Sequence, residues 1–197
     1  MTRLDPTSAE ERPLPRSLPT EVRENLLKSR TVLIFGEIDA DLAQAKTAEL
    51  LALSAASDEP IRVVIHSPGG HVESGDTLHD VIRFIRAEVK MIGTGWVASA
   101  GALIYVAAER HNRFALPNTR FLLHQPLGGV RGPASDIEIE AAQIMGARER
   151  LNRIFAAATG QDYAKVVQET ERNLWMNARE AQAYGLVHQV VERISEV

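Results

Sequence analysis

The 197-residue chain reads as an α/β domain with a largely parallel sheet, and three observations lead there. Two short apolar runs, TVLIF (Thr31 to Phe35) and IRVVIHS (Ile61 to Ser67), are too brief for stable helices and rich in strand formers. Each is followed by a turn signal and then by residues at helical spacing. Strands that alternate with helices in this way pack the helices on the faces of a sheet whose neighbours run in the same direction.

Composition agrees with one globular domain. Hydrophobic residues make up 45% of the chain and charged residues 24%, which is enough apolar material for a core. Asp and Glu number 26 against 22 Lys and Arg, so the net charge is −4, which argues against an electrostatic footprint for nucleic acid. With no cysteine, disulfides, thiolate metal sites and a cysteine nucleophile are excluded. The N-terminus has no apolar secretory core and carries Asp5, Glu10 and Glu11, so the expected location is the cytoplasm.

Four of the nine prolines fall within residues 1–19, where apolar periodicity is also missing; this stretch is expected to be a mobile arm ahead of a single domain spanning 20–197. A short helical turn around Val22 to Leu27 leads into the first strand, which Gly36 ends. Asp39 or Asp41 can cap a helix through about Ser57, and Pro60 breaks the chain before the second strand. Leu78, Val81, Ile82 and Ile85 share one helical face, and a third strand is expected at Val89 to Thr94. The 18 uncharged residues from Met91 to Ala108 approach the length of a membrane span, but Gly93, Gly95 and Gly101 interrupt them; a buried strand turning into a buried helix fits better. Strands at Arg113 to Leu116 and Arg120 to His124 follow. Ser135 and Glu138 form a capping-box pattern for a long helix ending at Gly160. Its stripe of Ile137, Ala141, Ile144, Leu151, Phe155 and Ala158 is larger than one small domain covers, which points to a packing partner. Asn177 and Glu180 cap a last helix ending at Gly185, and LVHQVV closes the chain as a strand.

Three segments carry the chemistry. In GWVASAGA, Ser99 lies at a strand-to-helix junction among small residues, with the Ala100 amide able to face a developing oxyanion. The G-x-S-x-G elbow is not met, because Val97 stands two residues before Ser99. SPGG (Ser67 to Gly70) ends a strand where glycine allows positive φ and close backbone approach, and it can supply a second amide. In FLLHQPLGG, His124 closes an apolar strand, and the glycine-rich segment after it is free to pair with another extended chain. Each has a bland reading too: helix packing for Ser99, a βα turn for SPGG, a structural histidine and a simple loop for the third.

The ordered set SPGG, ASAGA, FALPNTR, HQPLGG, ASDIEIEA, TGQ, TER and EAQAYGLV resembles the ClpP family, the proteolytic subunit of the ATP-dependent Clp protease, from Thr31 to Val191. The resemblance implies a crotonase-like fold of repeated strand-helix units with a protruding handle helix. It further implies a serine endopeptidase chamber of two stacked seven-membered rings, and an AAA+ Clp unfoldase that delivers unfolded polypeptide and uses the ATP. The subunit itself would need no cofactor and no metal, and would bind neither nucleic acid nor membrane. Position by position, Ser99 matches the nucleophile, His124 the general base, and Gly70 and Ala100 the oxyanion-hole donors. Pro126, Leu127, Gly128 and Gly129 match the substrate-binding strand, and Glu171 with Arg172 the contact between rings.

Departures from the family pattern matter as much. Asn173 stands where most members carry the aspartate of the triad, so a neutral amide replaces the charge that stabilises the imidazolium, and reduced activity is expected. A low-activity paralogue that assembles with an active ClpP isoform is the alternative. Trp96 and Ala100 replace the usual Gln and Met beside the nucleophile, which implies a different pocket for the substrate side chain. The proline-rich arm lacks the family's apolar axial sequence. An acyl-CoA enzyme of the crotonase superfamily is disfavoured by Ser99 and His124 together, and a metal hydrolase on His66, His71 and His79 by the absence of ligand spacing.

Overall fold

A computed structural model describes residues 18–197, so the expected mobile arm at 1–19 lies almost wholly outside the described residues. The chain begins with helix α1 (Thr20–Lys28) and strand β1 (Thr31–Phe35), followed by α2 (Ala40–Ala56) and β2 (Ile61–Ser67). Asp39 caps α2 by accepting the Leu42 N–H. Next come α3 (Val72–Phe84), β3 (Val89–Ala98) and the short α4 (Ala100–Tyr105). Two small strands, β4 (Arg113–Ala115) and β5 (Arg120–Leu123), precede the long α5 (Ala134–Thr159). The chain closes with α6 (Tyr163–Glu169), β6 (Leu174–Asn177), α7 (Ala178–Tyr184) and β7 (Gln189–Val190).

The seven strands form one sheet, in which β1, β2, β3, β4 and β7 are successive neighbours. All their pairings are parallel, as is that of β3 with β5; only β5 and β6 run antiparallel. This is the mixed α/β fold that the strand-helix alternation predicts. Strand β2 alternates buried and half-buried residues along its length, with Ile61, Val63, Ile65 and Ser67 facing the core. Leu78 and Ile82 of α3 and Leu103 and Ile104 of α4 pack into the same core as Ile34, Met91 and Phe121.

Three expectations need correction. Strand β3 runs four residues past Thr94, because a bulge carries it from one neighbour to another: Met91 to Gly93 pair with β4, and Trp96 to Ala98 pair with β5. Helix α5 starts at Ala134 with Pro133 as its N-cap, so Ser135 and Glu138 form no capping box there. The Pro133 carbonyl already takes the Asp136 and Ile137 N–H groups. The closing LVHQVV segment is a strand only at Gln189–Val190. By contrast, the Asn177 and Glu180 capping box is present, and Gly160 and Gly185 end their helices in the left-handed conformation.

The uncharged stretch from Met91 to Ala108 is β3 followed by α4, and among the described residues no helix is long and apolar enough to cross a membrane. In α5, only Leu151, Asn152, Phe155 and Thr159 are buried. The N-terminal part leaves Ile137 of the stripe exposed, with Ile139 and Met145 beside it, so these side chains have no cover among the described residues.

Candidate active site

Ser99 caps the N-terminus of α4 with φ 54° and ψ −121°, in the left-handed region that non-glycine residues rarely adopt. The surrounding backbone holds it there. Its N–H donates to the Leu122 carbonyl at 2.9 Å, and its own carbonyl accepts the Ala102 and Leu103 N–H groups at 2.9 and 3.1 Å. Strand β5 therefore fixes one side of Ser99 and helix α4 the other, and the residue lines a narrow cavity. Val72, Ala100, Leu103, His124, Pro126, Leu151 and Phe155 line that cavity with it.

The SPGG turn presses on Ser99 from the adjacent strand. Ser67 accepts the Gly69 N–H at 3.0 Å, and Gly69 has φ 103°. Gly70, at φ 149°, bridges to Ile38, and the bridge uses the Ile38 and His71 N–H groups, donated to Gly69 and Ile38 carbonyls. The Gly70 N–H takes no part in it. A side chain at Gly70 would put its Cβ 2.2 Å from the Ile38 carbonyl oxygen, so glycine is required there by space as well as by φ.

His124 follows β5 directly and is half-buried. Burial pushes its imidazole below the ordinary histidine pKa, and a hydrogen bond with the Asn173 side chain pushes the other way. Gln125 ties the segment after His124 to the one before Asn173: its N–H donates to the Thr170 carbonyl and its side-chain amide to the Glu171 carbonyl, both at 2.9 Å. Neither Gln125 nor Thr170 was given a role in the sequence reading, although Gln125 is the second residue of HQPLGG and Thr170 the first of TER.

The remaining candidates are placed as follows. Pro126 and Leu127 lie along a wider cleft of about 550 Å³ that opens beside the first cavity, between α3 and α5. Gly128 sits against Ile144 of α5, where a Cβ would come within 2.8 Å of its Cδ1, whereas a Cβ on Gly129 would meet open space. This extended segment belongs to no strand among the described residues. Glu171 pairs with Arg148 of α5, while Arg172 beside it is exposed. Ala100 lines the narrow cavity, but Trp96 does not; it lies outside against Trp175, whose ring carries the Arg120 guanidinium. The wall opposite Ser99 is supplied by Leu151 and Phe155, which sequence spacing assigned to helix packing alone.

The carboxylates near Asn173 are otherwise engaged. Asp162 caps α6, and Glu169 accepts the Tyr184 hydroxyl. The three histidines weighed as metal ligands are apart as well: His71 contacts Ser74 and Glu73, His79 pairs with Asp80, and His66 bonds the Trp96 backbone.

The family model for Clp protease matches residues 17–194. The chain belongs to the Clp protease family. Its Clp protease relatives include proteolytic subunit 3 of Rhizobium meliloti (strain 1021), 56% identical over 188 residues that cover 95% of this chain and 96% of the relative. Proteolytic subunit 2 of Pseudomonas aeruginosa is 51% identical, with 92% of this chain and 90% of the relative covered. Among solved structures, ClpP1 from Listeria monocytogenes superposes with a TM-score of 0.81 at 48% identity, covering 89% of this chain and 98% of that one. An asparagine-to-aspartate mutant of the same ClpP1 gives a TM-score of 0.83 at 49% identity, with 88% and 98% covered. The Clp protease fold expected from the motifs is thus the observed one, and the enzyme class is serine-type endopeptidase.

Proposed function

We propose that this chain hydrolyses peptide bonds of unfolded proteins with Ser99 as nucleophile, His124 as general base and Asn173 as the group that orients the imidazole. The observation that carries the reading is the convergence of Ser99, held at positive φ, and a half-buried His124 on one cavity. Substrate lies extended along Pro126 to Gly129 and adds a strand to that unpaired backbone.

Ser99 Oγ attacks the scissile carbonyl carbon and gives its proton to a ring nitrogen of His124, which lines the same cavity. The oxygen of the tetrahedral intermediate takes the N–H groups of Gly70 and Ala100, whose fixed backbone needs no reorganisation as the charge develops. Collapse breaks the C–N bond, and the leaving amine takes the proton from His124. Water then repeats the cycle on the acyl-serine, releasing the second product and restoring the Ser99 hydroxyl. The imidazolium is stabilised by a carbonyl oxygen of Asn173 instead of a carboxylate, which limits the rate.

The active form is two stacked heptameric rings enclosing the sites. The exposed apolar part of α5, together with Glu171 and Arg172, forms the contact between rings. A Clp ATPase of the AAA+ class uses the ATP and feeds in unfolded chain; the subunit itself holds no cofactor. A fluorescent fluorophosphonate tests the reading. The wild-type chain takes the label and Ser99→Ala does not; equal labelling of the two overturns the assignment.

The neutral Asn173 favours a second reading, a subunit of low intrinsic activity that works beside an active ClpP isoform. Peptide turnover by the pure chain, compared with turnover after mixing with such an isoform, separates the two.

A further inference from the structure

The β3 bulge sits between the two strands that carry the reaction. Ile65 of β2 pairs with Gly93 of β3, and the next pairing is Ser67 with Val97. One residue of β2, His66, therefore stands opposite three residues of β3: Thr94, Gly95 and Trp96. The His66 ring fills the gap. Its Nδ1 accepts the Trp96 N–H at 3.0 Å, which places the ring's own proton on Nε2 and leaves the 3.4 Å approach of Nδ1 to the Thr94 carbonyl without a hydrogen. Gly95, at φ 55°, lies against the ring so closely that a Cβ there would be 2.4 Å from Nδ1. Phe35, the register partner of His66 on β1, covers the imidazole from the other side with ring centroids 5.6 Å apart.

The bulge decides where the SPGG turn meets Ser99. Past it, Ser67 runs beside Val97, and a Cβ on Gly69 would fall 2.7 Å from the Ser99 Cβ. Without the two extra residues in β3, the turn would face the strand two positions earlier, away from the nucleophile. The backbone hydrogen bond to His66 is the side-chain contact that holds those residues out of the ladder.

We propose that His66 is a positioning residue for peptide hydrolysis: by accepting the Trp96 N–H it pins the bulge and so sets the Ser99 hydroxyl against the Gly70 N–H. The inference rests on the Ser99 and Gly70 roles given above. His66 touches neither the cavity nor substrate and acts through the backbone of β3. Trp96 is partly exposed, so water can satisfy its N–H when the imidazole is gone, and the loss falls on alignment more than on folding.

Four variants of the full chain test this, read by the rate constant of fluorophosphonate acylation and by kcat and KM for a short peptide. His66→Leu keeps the bulk and removes the acceptor. It is expected to acylate to completion but on the order of 10²-fold more slowly, with kcat lowered and KM nearly unchanged. In His66→Asn the amide oxygen is as many bonds from Cα as Nδ1 is, so this variant is expected to recover most of the rate. His66→Gln carries its oxygen one carbon too far and is expected to be slow. Wild-type rates in His66→Leu, or in His66→Gln if the leucine variant does not fold, overturn the proposal, as does a His66→Asn variant no faster than His66→Gln. Ser99→Ala runs in parallel: labelling of that variant defeats the active-site reading itself, whereas a silent Ser99→Ala with unchanged His66 variants defeats only the role of His66.

Discussion

Gly69 lies against Ser99 with no room for a side chain: a methyl group on its Cα would sit 2.7 Å from the serine Cβ and 3.2 Å from its Oγ. The glycine also has φ 103°, so any L side chain there is strained before it clashes. Gly69→Ala is expected to cost about 1–3 kcal/mol of stability and to slow acylation of Ser99 on the order of 10²-fold. Thermal melting and probe-labelling kinetics measure the two effects. A variant that melts lower yet acylates at the wild-type rate would show that the turn does not set the serine geometry.

Asn173→Asp is expected to raise kcat for a small peptide with little change in KM, since the added charge matters most as the imidazolium forms. The ceiling is the roughly 10⁴-fold difference that the reverse change causes in another serine protease. The pH profile supplies a separate sign. Burial lowers the His124 pKa, so the neutral base persists to lower pH; a carboxylate at position 173 favours the protonated ring and moves the acid limb of kcat/KM to higher pH. A limb that stays in place means the new carboxylate does not reach His124.

Leu151 is almost fully buried and forms part of the wall facing Ser99. Truncation in Leu151→Ala removes core packing, at about 2–5 kcal/mol, and enlarges the cavity. Relative kcat/KM is expected to shift toward peptides with a bulkier side chain at the scissile bond. Peptide-library profiling checks it, and an unchanged preference would place that side chain elsewhere.

Ile139 is 59% exposed on α5 in the single chain, so a charge there disturbs little of the fold. Ile139→Glu is expected to melt like the wild type and to separate paired rings into single ones in sedimentation velocity. Intact paired rings in this variant would move the contact off this face.

How much of the site was legible depends on the kind of interaction involved. Ser99, SPGG and His124 stand out because small residues, glycines and a strand-end histidine announce a backbone conformation that the local chain must adopt. Leu151 and Phe155 do not: their spacing marks a packed helix face, and nothing local says that this face closes over a nucleophile. Strand β6 and helix α6 were missed for a similar reason. Leu174–Asn177 is too short to carry a period, and it becomes a strand because β5 offers it an antiparallel edge.

Sequence alone determined what short-range chemistry controls: the strand cores at Thr31–Phe35 and Ile61–Ser67, an aspartate cap at 39 or 41 that the structure places at Asp39, the Asn177 and Glu180 box and the glycine stops at 160 and 185. Each needs only a few neighbouring residues, so its pattern survives in a linear string. Tertiary structure decided the rest: the run of β3 past Gly95, the start of α5 at Ala134, the outward turn of Trp96 and the bonds from Gln125 to the Thr170 and Glu171 carbonyls. Those outcomes depend on partners distant in the chain, because a strand continues past a bulge only where a new edge accepts its backbone groups, and two loops lie side by side only where a polar side chain such as Gln125 bonds across them.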